Sequence, residues 1–210
     1  MMVNIETTSR CTLKCPACIR QNYYGVRNQP VPGKDISIED FEKITDHFDT
    51  ICFCGNVSDP ITHPRFYDLL KICIRKNLST VITTAASHRP ISWYKKHFLL
   101  TKGTKVRWEF SVDGLPKDSA KYRINQDGEK LYDVMRIGSK MGCDILWKYI
   151  IFNYNENDTM EAKKLASDIR VPITFIKSVR WEGEMINYQP TDKDNFYTRN
   201  FLSDYGYDET

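Results

Sequence analysis

Three cysteines, Cys11, Cys15 and Cys18, fall within eight residues in the run Cys-Thr-Leu-Lys-Cys-Pro-Ala-Cys. Soft thiolates gathered in one short loop select zinc, copper or iron–sulfur clusters. A structural zinc asks for four ligands, usually as two separated pairs, and no second CxxC or HxxxH follows here. A CxxxCxxC loop can instead wrap one face of a cubane and ligate three irons, which leaves the fourth open to a small chelating ligand. The competing reading is a zinc loop completed by a distant side chain such as His63. The other four of the seven cysteines are scattered. Cys52 and Cys54, two apart on an expected strand, face the same way and read as small buried hydrophobes. Cys73 falls on an apolar helix face, and Cys143 begins a strand with no partner in view. His63, next to Pro64, reads as a solvated loop histidine, and His47, His88 and His97 form no constellation.

The elements around the loop alternate. A strand over Val3–Thr7 leads straight into it. Ser37 as N-cap, with an acid at the third helical position, marks a helix to about Phe48. Strands follow at Thr50–Cys54, Ser79–Thr84, Lys105–Val112, Ile145–Phe152 and Pro172–Ile176. Helices fall between them, from Phe66 through Cys73, at Ile91–Leu100, at Leu131–Met141, and at Asp158–Ile169 with Asp158 as the expected cap. Repeated β/α units require a parallel sheet, because parallel neighbours need helical crossovers. A closed eight-fold barrel typically takes ~250 residues, so six units in this length fit a partial (β/α)6 TIM-like barrel. In such sheets the chemistry collects at the carboxyl ends of the strands. Those ends carry the cysteine loop, Gly55-Asn56-Val57-Ser58-Asp59, Thr83-Thr84, Ser111 with Asp113, Asn153 with Asn155 and Glu156, and Lys177 with Ser178 and Arg180.

The chain has 210 residues, 41% hydrophobic and 27% charged, enough for one compact domain with a short appendage. No apolar run approaches the ~20 residues that span a bilayer, and the start, MMVNIETTSR, has no secretory pattern. The expected location is the cytoplasm, where an odd number of cysteines points to metal or redox chemistry rather than to disulfides. Net charge is +3, which argues for neither a nucleic-acid partner nor a membrane surface. Residues 181–210 hold seven acids, two bases and seven aromatics. That composition is too aromatic for a disordered acidic tail, and the division expected is a core over 1–180 with a cap over 181–210.

CxxxCxxC directly after the first strand of a β/α chain resembles the signature of the radical S-adenosylmethionine (SAM) superfamily, and the resemblance covers residues 1–180. It implies a 4Fe-4S cluster on Cys11, Cys15 and Cys18 whose open iron is chelated by SAM. Gly55, Asn56 and Asp59 occupy the place of the family's Gly-Gly-Glu segment, which holds the SAM amino group, with Asn56 and the later Asp59 as departures. Ser111 and Asp113, in Phe-Ser-Val-Asp-Gly, resemble the strand-four pattern of the branch of molybdenum-cofactor, quinone-cofactor and peptide-maturation enzymes, where the Ser faces the SAM ribose or carboxylate. Arg123 sits where that branch has an Arg for the SAM carboxylate. A helix-capping role or a pair with Asp127 is the bland alternative for it. Asn153 matches the strand that contacts ribose and adenine. Ala17 stands where many members have an aromatic, so adenine packing must come from elsewhere.

What the resemblance implies is reductive cleavage of SAM to a 5′-deoxyadenosyl radical that abstracts hydrogen from a small molecule or a peptide side chain, with an external reductant such as flavodoxin or ferredoxin. Basic rim residues Lys148, Lys177 and Arg180 hint at an anionic group on the substrate, and Glu182 and Glu184 are rim carboxylates or plain loop charges. No cysteine follows Cys143, so the resemblance is to a minimal catalytic core without an auxiliary-cluster domain. A small nucleoside- or pterin-precursor enzyme is the alternative within that family. Outside it, the alternative is a non-catalytic iron–sulfur or zinc module.

Overall fold

The computed structural model describes residues 1–178, 181, 183–192 and 194. Six strands, β1 (Met2–Ile5), β2 (Thr50–Phe53), β3 (Ser79–Thr84), β4 (Val106–Ser111), β5 (Asp144–Ile150) and β6 (Ile173–Ile176), form one sheet in chain order. Every neighbouring pair is parallel. Among the described residues β1 and β6 do not pair with each other, so the sheet is an open, partial barrel. Five helices make the crossovers: α1 (Ile38–Thr45), α2 (Phe66–Arg75), α3 (Ile91–Thr101), α4 (Gly128–Lys140) and α5 (Thr159–Asp168).

Strand periodicity divides the sheet into two unlike faces. Ile51, Phe53, Ile82, Trp108, Phe110, Trp147 and Tyr149 are fully buried and pack under the helices. Alternate positions, Cys52, Thr83, Glu109 and Lys148, are only part-buried and face the concave side. Trp108 anchors the covered face, with the Phe98 ring 5.4 Å away edge-on and the Phe110 ring stacked at 6.0 Å. Aromatic pairs of this kind add to simple burial of area.

Helix starts follow local chemistry where a cap exists. Ser37 accepts from the Asp40 amide at 3.0 Å, as its position predicts. Asp127 caps α4, accepting from the Lys130 amide at 2.9 Å, and so begins that helix a turn before the expected Leu131. Asp158 makes no side-chain cap; α5 is entered through a 3-10 turn at Glu156–Asp158 that leaves Asp158 outside the extended geometry a cap needs. No helix among the described residues is long and apolar enough to cross a membrane.

His97, on α3, is a core residue with a measurable signature. Its ring stacks on Trp93 at 3.6 Å between centroids, Nδ1 donates to the Trp93 carbonyl at 2.7 Å, and Nε2 is buried without a partner. Burial lowers its pKa from 6.5 to about 4. The unfolded chain therefore binds a proton that the folded chain refuses, and stability present above pH 6.5 is lost as pH falls toward 4. A gap of that size corresponds to ~3 kcal/mol. Urea unfolding at pH 7 and pH 4 should show a loss of this order from His97, and His97→Gln should reduce the difference between the two pH values.

Candidate active site at the carboxyl rim

At the carboxyl edge of the sheet lies a cavity of about 240 Å³. Cys11, Cys15 and Cys18 line one side of it, and Gly55, Asn56, Asp59, Ser111 and Arg123 line the others. Eight of the ten expected site residues thus meet around one space. Asp113 and Asn153 do not line it. Asp113 is completely buried behind Arg123. Asn153 donates from Nδ2 to the Asn187 carbonyl at 2.7 Å and from its amide to Tyr188 at 3.0 Å.

The cysteine loop is held by bonds from outside itself. The Lys14 amide donates to Ile124 at 3.1 Å, and Asn125 Nδ2 to the Thr12 carbonyl at 3.2 Å. Arg20 reaches the carbonyls of Ser9 at 2.7 Å and Val57 at 3.0 Å, which ties the loop to the turn after β2. A π-helical turn, Arg20–Gly25, carries the chain away after Cys18.

That turn after β2 depends on Glu6, a residue the sequence reading passed over. The Glu6 carboxylate accepts from the Asn56 amide, from the Val57 amide at 3.0 Å, and from the Ser58 hydroxyl. Gly55 is required by space rather than by its dihedral angles, since a Cβ there would stand 1.8 Å from the Ser58 carbonyl oxygen. Asp59 is already committed. Buried to 4% exposure, it accepts from Thr84 Oγ1, from the amides of Ala85 and Ala86, each at 2.9 Å, and from the Ile61 amide at 3.2 Å.

On the opposite wall, Arg123 Nε donates to Asp113 at 2.7 Å, and Asp113 also takes the Ile150 amide at 2.7 Å. Arg123 therefore pairs with Asp113 and not with Asp127, whose carboxylate is spent on its helix cap. Burial works against the guanidinium's charge, yet Asp113, Cys15 and Tyr122 raise its pKa further above the ordinary range. Burial pushes the Asp113 carboxyl up, opposed chiefly by Arg123. The guanidinium also touches Cys15, so it bridges the cysteine loop and the end of β4.

Three further placements depart from expectation. His63 is buried, not solvated: Nε2 donates to the Ile36 carbonyl at 3.2 Å, and Nδ1 accepts the Arg65 amide at 3.1 Å. Cys54 is not buried core but lines the cavity, and Cys52 is part-buried on the concave face. Lys148 is not a lone cation, because Glu109 neutralises it at 3.1 Å; Lys177 donates to the Asp194 carbonyl. Arg180, Glu182 and most of 181–210 lie outside the described residues, as does the side chain of Glu184. Tyr122 is an aromatic that the sequence reading missed. It lines the cavity, and its ring lies 4.4 Å from that of Phe152.

The donor set suits a polynuclear cluster. All three thiols are free of disulfides and share one cavity wall. The Leu13 amide points at Cys11 Sγ at 3.4 Å, the type of contact that tunes cluster thiolates. Burial pushes the Cys11 thiol up to about 12 and raises that of Cys15, so both need a cation beside them to ionise.

No family model matches the chain. A tungsten-containing aldehyde ferredoxin oxidoreductase cofactor-modifying protein from Pyrococcus furiosus is 27% identical over 117 residues, 53% of this chain and 30% of that protein. Among solved structures, Streptococcus suis SuiB bound to the precursor peptide SuiA matches with a TM-score of 0.69 at 15% identity, covering 83% of this chain and 38% of SuiB. Native anSMEcpe with bound AdoMet, which is SAM, matches with a TM-score of 0.65 at 16% identity, over 90% of this chain and 55% of that one. The chain thus spans about half or less of the length of these relatives. SuiB and anSMEcpe are radical SAM enzymes. The chain has the fold of these two enzymes, and its Cys11, Cys15 and Cys18 loop follows the first strand of that fold.

Proposed function

We propose that the rim cavity holds a 4Fe-4S cluster and SAM side by side, and that the chain is an enzyme using them to activate a C–H bond of a small-molecule or peptide substrate. One observation carries this reading: the three thiols share a single cavity with Arg123, Ser111 and the Gly55–Ser58 turn. An electron-transfer or zinc module needs only the thiol wall. His63, one distant side chain that could have completed a zinc loop, has both ring nitrogens engaged by backbone.

Cys11, Cys15 and Cys18 would hold three irons of the cluster, leaving the fourth open for SAM. When bound, the cluster supplies the electron that splits SAM into methionine and a 5′-deoxyadenosyl radical. The chain's own residues fix what surrounds that event. Arg123, aimed by Asp113, offers a guanidinium fork suited to a carboxylate. The turn held by Glu6 lines the cavity and would offer its polar groups to a SAM ammonium, while the fully engaged Asp59 shapes the wall. Tyr122 supplies an apolar ring face for adenine. Asn153, clear of the cavity, supports the segment around Tyr188 instead.

Residues 181–210 are proposed to close the mouth over a 1–180 core. Met185 is buried against the cluster of side chains that includes Cys15, Tyr122 and Phe152, and Tyr188 lies edge-on to Tyr122 at 5.5 Å. SuiB's precursor peptide makes a peptide substrate a reasonable class to test first. An external flavodoxin or ferredoxin would deliver electrons in the reducing cytoplasm.

Anaerobic reconstitution with iron and sulfide, then dithionite and SAM, should give a broad charge-transfer absorbance and 5′-deoxyadenosine. Tight binding of one zinc with no deoxyadenosine would sink the proposal. Cys15→Ala should abolish both cluster and cleavage. Gly55→Ala, whose methyl must displace the Ser58 carbonyl, should keep the cluster absorbance while SAM affinity falls at least about tenfold, or ~1.4 kcal/mol. Unchanged affinity, measured by equilibrium dialysis, would remove that turn from the SAM site.

A further inference from the structure

The concave face of the sheet carries a charged pair to which SAM cleavage assigns no role. Lys148 Nζ lies 3.1 Å from Glu109 Oε2, and Thr83 Oγ1 donates to the same oxygen at 2.8 Å. The Glu109 side chain is 15% exposed and that of Lys148 30%. Taking two charges out of water is costly, and well-packed apolar residues at such positions are often as stable or more so. This sheet builds such packing on its other face, where Phe110, Trp147 and Tyr149 alternate with the charged positions and are fully buried. Stability alone therefore does not explain the pair.

Its surroundings point to a ligand. Thr83, which donates to Glu109 Oε2, also lines the cavity of Cys11, Cys15 and Cys18, so the pair lies one hydrogen bond from that space. Cys52, part-buried on the same face, lies within electrostatic reach of both charges. An ammonium has three donors, and Lys148 places one of them on Glu109; Glu109 Oε1 takes no hydrogen bond among the described residues. What remains is a donor and an acceptor side by side on a wall of zero net charge. A lone anion is repelled by Glu109, and a lone cation by Lys148.

We propose that Glu109 and Lys148 orient the substrate by binding an amide: its carbonyl accepts from Lys148 Nζ and its N–H donates to Glu109 Oε1. The proposal rests on the reading of the rim as a radical-generating site, because it supplies the group that holds a C–H bond in front of it. Both a peptide unit and a small-molecule amide carry this chemistry. Charge neutrality here replaces the anionic group that Lys148 suggested in isolation.

Binding is tested on the full chain without iron or SAM, by NMR titration of 15N-labelled protein with five probes: N-acetylglycine N-methylamide, acetamide, acetate, methylammonium and glycine. An amide should shift Thr83, Glu109 and Lys148 saturably and at least fivefold more tightly than the three charged probes. Preference for the capped peptide unit assigns a peptide, and equal binding of both amides a small molecule. Glu109→Gln should turn the preference toward acetate, and Lys148→Met toward methylammonium. The proposal is overturned if a charged probe matches the amides on the native chain, if no probe shifts these residues, or if both folded variants keep the native preference. Amide binding in a chain that cleaves no SAM would overturn the radical SAM reading alone, whereas cleavage without amide selectivity would overturn this inference alone.

Discussion

A parallel sheet ends at its carboxyl edge with amides that have lost their ladder partners, and a cavity there must satisfy them without filling itself. Three carboxylates solve that problem here. Glu6, at the end of β1, takes the amides of Asn56 and Val57 after β2. Asp59, after β2, takes the amides of Ala85 and Ala86 after β3. Asp113, after β4, takes the Ile150 amide that ends β5. Each acid reaches to the end of the next strand in the sheet, so the rim is laced in the order of the strands. Charge-assisted bonds to amides are strong and short, and they leave the space between the strand ends open.

The lacing also decides which side chains remain for a ligand. Asp59 and Asp113 are the most buried acids of the rim, and both are occupied by the protein itself. Glu6 is exposed, though its oxygens already serve the 56–58 turn. What faces the cavity is therefore held by acids rather than made of them: thiols on one wall, a guanidinium on another, and hydroxyl and backbone groups between. Such a wall suits an anion beside a cluster, which matches the carboxylate end of an amino-acid-like cosubstrate.

Much of this was legible locally, and the misses share a cause. Ser79–Thr84 is recovered residue for residue because alternation and flanking turns both mark it. Spacing alone puts Cys11, Cys15 and Cys18 in one loop, and all three line one cavity. The motif around Asp113 points to a ligand, but the structure puts the carboxylate behind Arg123, since a fully buried carboxylate needs a partner. Cys54 was assigned to the core by strand periodicity, yet β2 ends at Phe53, and the chain turns so that Cys54 reaches the cavity. His63 and Glu6 escaped because their partners, Ile36 and residues 56–58, lie far along the chain. Spacing reports which residues share a loop or a face, while the partner that fixes a side chain belongs to the tertiary fold.

The same logic bears on the cysteine loop, because small metal sites often have few other bonds to hold them. In those, the binding free energy of the metal is the folding free energy. Here the loop's path is fixed by Arg20, Asn125 and the Lys14 amide, none of which would ligate a metal. Burial raises the Cys11 and Cys15 thiols, and Arg123 beside Cys15 offsets only part of that rise. Neutral sulfur buries as a small hydrophobe, so the raised thiols of Cys11 and Cys15 cost the fold little. Under the proposed cluster reading, loading would have to expel those two protons, so cluster assembly should grow more favourable as pH rises.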